Sequence, residues 1–83
     1  MLLQKYYTID TMKISFTNHA KYRIDERNIS ILHIENTLKN PDYIKRNENE
    51  ILVRKSFGKK MLEVVYKQTI KSVVVITAYY IQS

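Results

Sequence analysis

The chain has no cysteine and no tryptophan, and only one glycine, one proline and two histidines in 83 residues. Without cysteine there is no disulfide and no thiolate zinc site, and a reducing, cytoplasmic compartment is expected. Two histidines are too few for a histidine-rich metal site, so no metal and no cofactor are expected. Long apolar runs are also missing. The longest strongly apolar stretch is Val73–Ile76, far short of the roughly 20 residues that span a bilayer, so no membrane partner is expected. At the start, Met1-Leu2-Leu3 gives way at once to Gln4-Lys5, which leaves no apolar leader. No internal repeat or low-complexity segment is visible. A chain of this length reads as one domain, and it buries only about 60–65% of its unfolded surface, so its stability is modest.

What the chain does have is positive charge. Fourteen Lys and Arg stand against eight Asp and Glu, a net charge of +6. A basic domain of this size points to a polyanionic partner, RNA or DNA first and an acidic protein second.

Pattern along the chain gives an α+β domain over residues 13–83, with residues 1–12 an N-terminal extension or extra strand. Met1–Thr11 has apolar and aromatic residues but no clear period, and Met12 is a second possible start. Lys13–Phe16 reads as a short strand. Thr17 or Asn18 caps a helix that runs to about Asn28, with Ala20 and Ile24 on its core face. Ser30 caps a second helix, Ile31–Lys39, whose Ile31, Ile34 and Leu38 form a buried stripe. Asn40-Pro41 stops it. Beyond Pro41 the period changes to two. Strands are expected at Tyr43–Arg46, Ile51–Phe57, Met61–Lys67 and Val73–Ile81, with turns at Asn47–Asn49, Gly58–Lys60 and Gln68–Ser72. The last strand is apolar on both faces, which suits a central position. The expected architecture is two helices on one face of an antiparallel meander.

Three residues of the first helix stand out. His19, Arg23 and Arg27 recur every four residues, so they drift about 40° per step and span roughly 80° at the edge of the core face. The chemistry fits a phosphodiester. The helix N-terminus and Arg23 both disfavour the protonated imidazole of His19, leaving a neutral base for a ribose 2′-hydroxyl. The guanidiniums of Arg23 and Arg27 suit a phosphate. The same spacing also fits a plain helix surface, with Arg23 paired to Glu26 or Glu35 and His19 bonded to a loop. His33 falls opposite the apolar stripe and reads as a solvated surface histidine.

The strand region adds Lys45, Arg46, Arg54, Lys55, Lys59, Lys60, Lys67 and Lys71 against Glu48, Glu50 and Glu63. Such a face can follow an RNA backbone, although edge and turn lysines also guard against aggregation. Arg54 and Lys55 point to opposite faces of one strand, and Arg54 is the favoured phosphate ligand. Lys55, Lys59, Lys60, Arg27 and Thr77 are candidate RNA contacts. Thr77 and Tyr79 share a face of the last strand, where Tyr79 is a proton donor or a stacking ring. The alternative is that Tyr66, Tyr79 and Tyr80 only cap the core.

Taken in order, "FTNHAKYRIDERNIS" (Phe16–Ser30), "TLKNPD" (Thr37–Asp42), "VRKSFGKKMLEVVY" (Val53–Tyr66) and "VVVITAYY" (Val73–Tyr80) resemble a family of small bacterial proteins of formally unknown function. That family is grouped with RelE-like toxins in the wider barnase/EndoU/colicin/RelE nuclease-like fold. The resemblance implies two helices on a curved antiparallel sheet and a toxin–antitoxin setting. It also implies cleavage of RNA, often mRNA at the ribosome; attack by a 2′-hydroxyl that His19 deprotonates would need no metal and would leave a 2′,3′-cyclic phosphate. His19, Arg23 and Arg27 match the signature histidine and arginines, Arg54 a basic strand residue, and Thr77 and Tyr79 the terminal Thr-x-Tyr. His19, Arg23, Arg54 and Tyr79 form the expected catalytic set. A cognate antitoxin would cover the basic face. The rival readings are a non-catalytic nucleic-acid-binding module and a protein-interaction domain that pairs by strand addition.

Overall fold

The computed structural model describes the backbone of residues 7–9 and residues 12–82. The elements run β1 (Tyr7–Ile9), β2 (Met12–Phe16), α1 (Asn18–Glu26), α2 (Ile31–Lys39), β3 (Tyr43–Arg46), β4 (Ile51–Phe57), β5 (Lys60–Gln68) and β6 (Ser72–Gln82). Of the N-terminal segment, Tyr7–Ile9 pairs antiparallel with β2; residues 1–6, 10 and 11 lie outside the described residues.

Local chemistry sets the helix ends. The Thr17 hydroxyl accepts from the Ala20 N–H at 3.0 Å, which satisfies a free amide of the first turn of α1. Ser30 does the same for His33 N–H at 3.2 Å in α2. The C-terminus of α1 comes two residues sooner than expected, because Asn28 turns left-handed at φ 54°. Two bonds then close the end: Asn28 N–H to Asp25 C=O at 3.2 Å and Ile29 N–H to Ile24 C=O at 2.9 Å. This is a Schellman motif, and its apolar pair, Ile24 and Ile29, is buried. Gly58, at φ 68°, turns the β4–β5 hairpin.

The sheet has the order β1-β2-β6-β5-β4-β3. From β3 to β6 it is the expected antiparallel meander. The expectation of a purely antiparallel sheet does not hold, because β2 pairs parallel with β6, Ile14 opposite Val73 and Phe16 opposite Val75. Parallel neighbours need a long connection, and here two helices and three strands lie between them. The last strand is central, as its two-sided apolar pattern predicts.

Val53, Leu62, Val64, Tyr66, Val73, Val75 and Ala78 meet Ile14, Ala20, Ile24, Ile29 and Ile34 in one core. Both helices therefore cover the same sheet face. Among the described strand residues that are buried, one belongs to the opposite, open face: Glu63.

α2 is rotated from its expected setting. Thr37 is fully buried, its hydroxyl donating to His33 C=O at 2.7 Å. That swings the buried arc toward His33, which is half-buried rather than a solvated surface residue. Its ring stacks on Phe57 at 3.9 Å, and its Nδ1 lies 2.9 Å from the Tyr80 hydroxyl.

Candidate functional site

The site begins with strand register. Residues directly opposite in an antiparallel pair point to the same face. Tyr43 lies opposite Arg54, Arg54 opposite Glu63, and Glu63 opposite Tyr79. These four form one row across β3, β4, β5 and β6 on the open face. Arg54 Nε donates to Glu63 Oε1 at 2.7 Å, and the Tyr79 hydroxyl donates to Glu63 Oε2. The Arg54 guanidinium also lies 5.2 Å from the centre of the Tyr43 ring. Glu63 is only 3% exposed although no helix covers this face. The side chains of its neighbours in the row enclose it.

The electrostatics follow from that carboxylate. The hydrogen bond to Glu63 raises the Arg54 pKa, against partial desolvation. The same carboxylate raises Tyr79 above its ordinary value, with burial adding to the effect and the charges of Arg54 and Arg27 opposing it. Tyr79 is therefore a protonated donor at neutral pH.

A β-bulge between β5 and β6 decides which face Tyr79 uses. Val65 pairs with Thr77 but Tyr66 pairs with Val75, so Ile76 is an extra residue. Val73 and Val75 face the core before the bulge. After it Ala78 faces the core, and Thr77 and Tyr79 turn to the open face.

Beside Tyr79, a shallow groove is lined by Arg27, Thr77, Tyr79 and Tyr80. Arg27 is the C-cap of α1, and its Nη1 donates to Ala78 C=O at 3.1 Å. The Schellman turn holds it at that height. This groove and the adjoining row present two guanidiniums, donors suited to a phosphate, while the one hydrogen of the Tyr79 hydroxyl is given to Glu63. Among the described residues, no group of three or more His, Cys, Asp or Glu stands together as a metal site. No helix among them is long and apolar enough to cross a membrane.

The structure thus divides the residues singled out in the sequence. Arg27, Thr77 and Tyr79 share the groove, and Arg54 joins them through Glu63. His19 and Arg23 do not line it. His19 sits exposed in the first turn of α1, about 12 Å along the axis from Arg27 at 1.5 Å per residue. Arg23 pairs with Glu26 at 3.1 Å, one of the two pairings its spacing allows. Lys55 lies on the helix-side face and reaches Asn40 C=O at 2.9 Å and Asp42 at 3.8 Å, tying β4 to the end of α2. Lys59 and Lys60 are exposed at the β4–β5 hairpin, the Lys60 ammonium 5.1 Å from the centre of the Tyr80 ring. Glu63 is the residue that sequence reasoning missed. Its signal was an acid in an otherwise apolar strand, placed opposite Arg54 once the hairpin at Gly58 sets the register.

A family model described as "Domain of unknown function (DUF4258)" matches residues 16–80, and the chain belongs to that family. No curated protein and no solved structure matches the chain.

Proposed function

We propose that this chain is an endoribonuclease of RelE-like architecture, acting on mRNA without a metal, as the toxin of a toxin–antitoxin pair. The observation that carries the reading is the buried Glu63 carboxylate, held by Arg54 and Tyr79 on the open face beside the Arg27 groove. Burying a carboxylate is costly even when it is paired, and a sheet face needs none for packing. Strongly organised ionisable groups of this kind gather where charge must be handled.

In the proposed reaction the ribose 2′-oxygen attacks the adjacent phosphorus and the bond to the 5′-oxygen breaks. The products are a 2′,3′-cyclic phosphate and a 5′-hydroxyl. One proton leaves the 2′-hydroxyl for a base and another is delivered to the departing 5′-oxygen. Arg27 and Arg54 hold the phosphate oxygens, and Tyr79 supplies the second proton by turning its O–H from Glu63 to the departing 5′-oxygen. His19, the base candidate of the sequence, stands about 12 Å from Arg27 along α1, out of reach of a ribose at the groove, so the 2′-hydroxyl proton passes to solvent water. The cytoplasm is the proposed compartment, with an acidic antitoxin segment over the basic face.

The exposed position of His19, away from the groove, favours a second reading: a non-catalytic module that binds RNA through the same residues. RNA cleavage by purified protein in EDTA, with and without ribosomes, separates the two. The nuclease reading expects cyclic-phosphate ends and a loss of about 10²-fold or more in turnover for Tyr79→Phe, with affinity kept. Salt-sensitive RNA binding with no cleavage in either setting leaves the binding module standing and removes the nuclease.

A further inference from the structure

The row across the open face does not end at the groove. It continues through Arg54 to Tyr43 on β3, the last strand of the sheet on that side. Tyr43 is 47% exposed, and its ring lies against the Arg54 guanidinium at 5.2 Å. Three strand-to-strand steps separate it from Tyr79, about 14 Å. Between the two rings the neighbouring row supplies Lys45, Leu52, Val65 and Thr77, also in mutual register. Leu52 and Val65 are partly exposed on a face with no helix above it.

From this placement we infer that the open face is a stacking platform for single-stranded RNA. The strand crosses β6, β5, β4 and β3, and Tyr43 seats a second base about 14 Å from the groove. This inference rests on the RNA reading above and adds the path of the strand and a base site at Tyr43. Every base has a π face, so an exposed tyrosine stacks on any of them. The Arg54 guanidinium over one face of the ring restrains it and supplies charge where the backbone passes. Lys45 flanks the same path. A duplex has no free base faces to offer, so the platform selects single strands. Ile44, the neighbour of Tyr43, points to the other face and is equally open at 46%. It provides the internal control.

The test is binding of a single-stranded 2′-O-methyl oligonucleotide of about ten nucleotides, a length within the usual site size for such platforms. It lacks the attacking hydroxyl and carries 2-aminopurine, whose fluorescence falls on stacking. Tyr43→Ser should weaken binding by about 5- to 100-fold and remove part of the quenching. Tyr43→Phe should keep both, and Ile44→Ser should change neither. Wild-type binding that Tyr43→Ser leaves intact overturns the platform while the RNA reading stands. Equal weakening by Tyr43→Ser and Ile44→Ser also overturns it, since the edge strand would then act only as structure. A wild-type protein that neither binds nor cleaves RNA removes the underlying reading and the platform with it.

Discussion

Replacing Glu63 with methionine probes whether the buried carboxylate serves the fold or the site. The side chain is 3% exposed and accepts from Arg54 and Tyr79. Two hydrogen bonds to a charged group are worth about 1.5–3 kcal/mol each. Against them stands the desolvation of the carboxylate, several kcal/mol. In Glu63→Met both contributions vanish. The released partners are not stranded, because the Arg54 side chain is 39% exposed and Tyr79 borders an open groove. The net change should therefore lie within about 1 kcal/mol of zero, or about 4–8 °C in Tm for a domain of this size. The opposite perturbation, Arg54→Met with Tyr79→Phe, leaves the Glu63 carboxylate enclosed without its partners. That should cost about 3–5 kcal/mol, a large part of the roughly 4–12 kcal/mol expected of 83 residues. Thermal and urea unfolding by circular dichroism measure both variants. If Glu63→Met falls as far as the double variant, the carboxylate contributes net stability, and its burial is no longer an argument for a site.

Two further predictions concern the scaffold. Asn28→Gly should match or exceed wild-type stability by up to about 0.5 kcal/mol, and Asn28→Ala should lose about 1 kcal/mol, because alanine resists the left-handed φ that closes α1. Urea midpoints at constant m-value decide it. Tyr79 is raised by its bond to Glu63 and Tyr66 by burial. A raised folded pKa gives stability that is whole below the unfolded value of about 10 and is lost as pH climbs through the folded value. Stability should therefore decline on the alkaline side, and Tyr66→Phe and Tyr79→Phe should each flatten that decline in melts run between about pH 8 and 12.

Much of the fold was legible because it is written in short-range signals. Thr17 and Ser30 are caps by side-chain chemistry, Pro41 stops a helix by its missing N–H, and the opposite facing of Arg54 and Lys55 follows from the pleat. What stayed hidden depends on partners far apart in the chain. The parallel pairing of β2 with β6 joins residues about sixty positions apart. The burial of His33 depends on Thr37 being taken into the core, which polarity alone argues against. The regular row of His19, Arg23 and Arg27 drew attention to a helix face, yet only its last member reaches the groove. Glu63 became visible only when register set it between Arg54 and Tyr79.

The bulge at Ile76 ties these observations together. Unbroken alternation along β6 would put Val73, Val75, Thr77 and Tyr79 on one face, and a strand with two aliphatic core residues would then carry its phenol into the core as well. One extra residue reverses every side chain that follows it. Val73 and Val75 stay inside, Ala78 takes the next core position, and Thr77 and Tyr79 reach the open face. The same point receives α1. Thr17 N–H donates to Val75 C=O at 3.1 Å, and the Thr17 hydroxyl makes a long contact of 3.5 Å with Ile76 C=O. The residue that caps the helix is thus fastened where the strand changes face. At the far end, Arg27 is held by its Schellman turn and bonds Ala78 C=O. Helix and strand are joined at both ends of α1, so the placement of Arg27 beside Tyr79 depends on rigid elements rather than on a loop. A site supported this way keeps its geometry without a ligand. The groove therefore follows from one inserted residue, one cap and one left-handed asparagine.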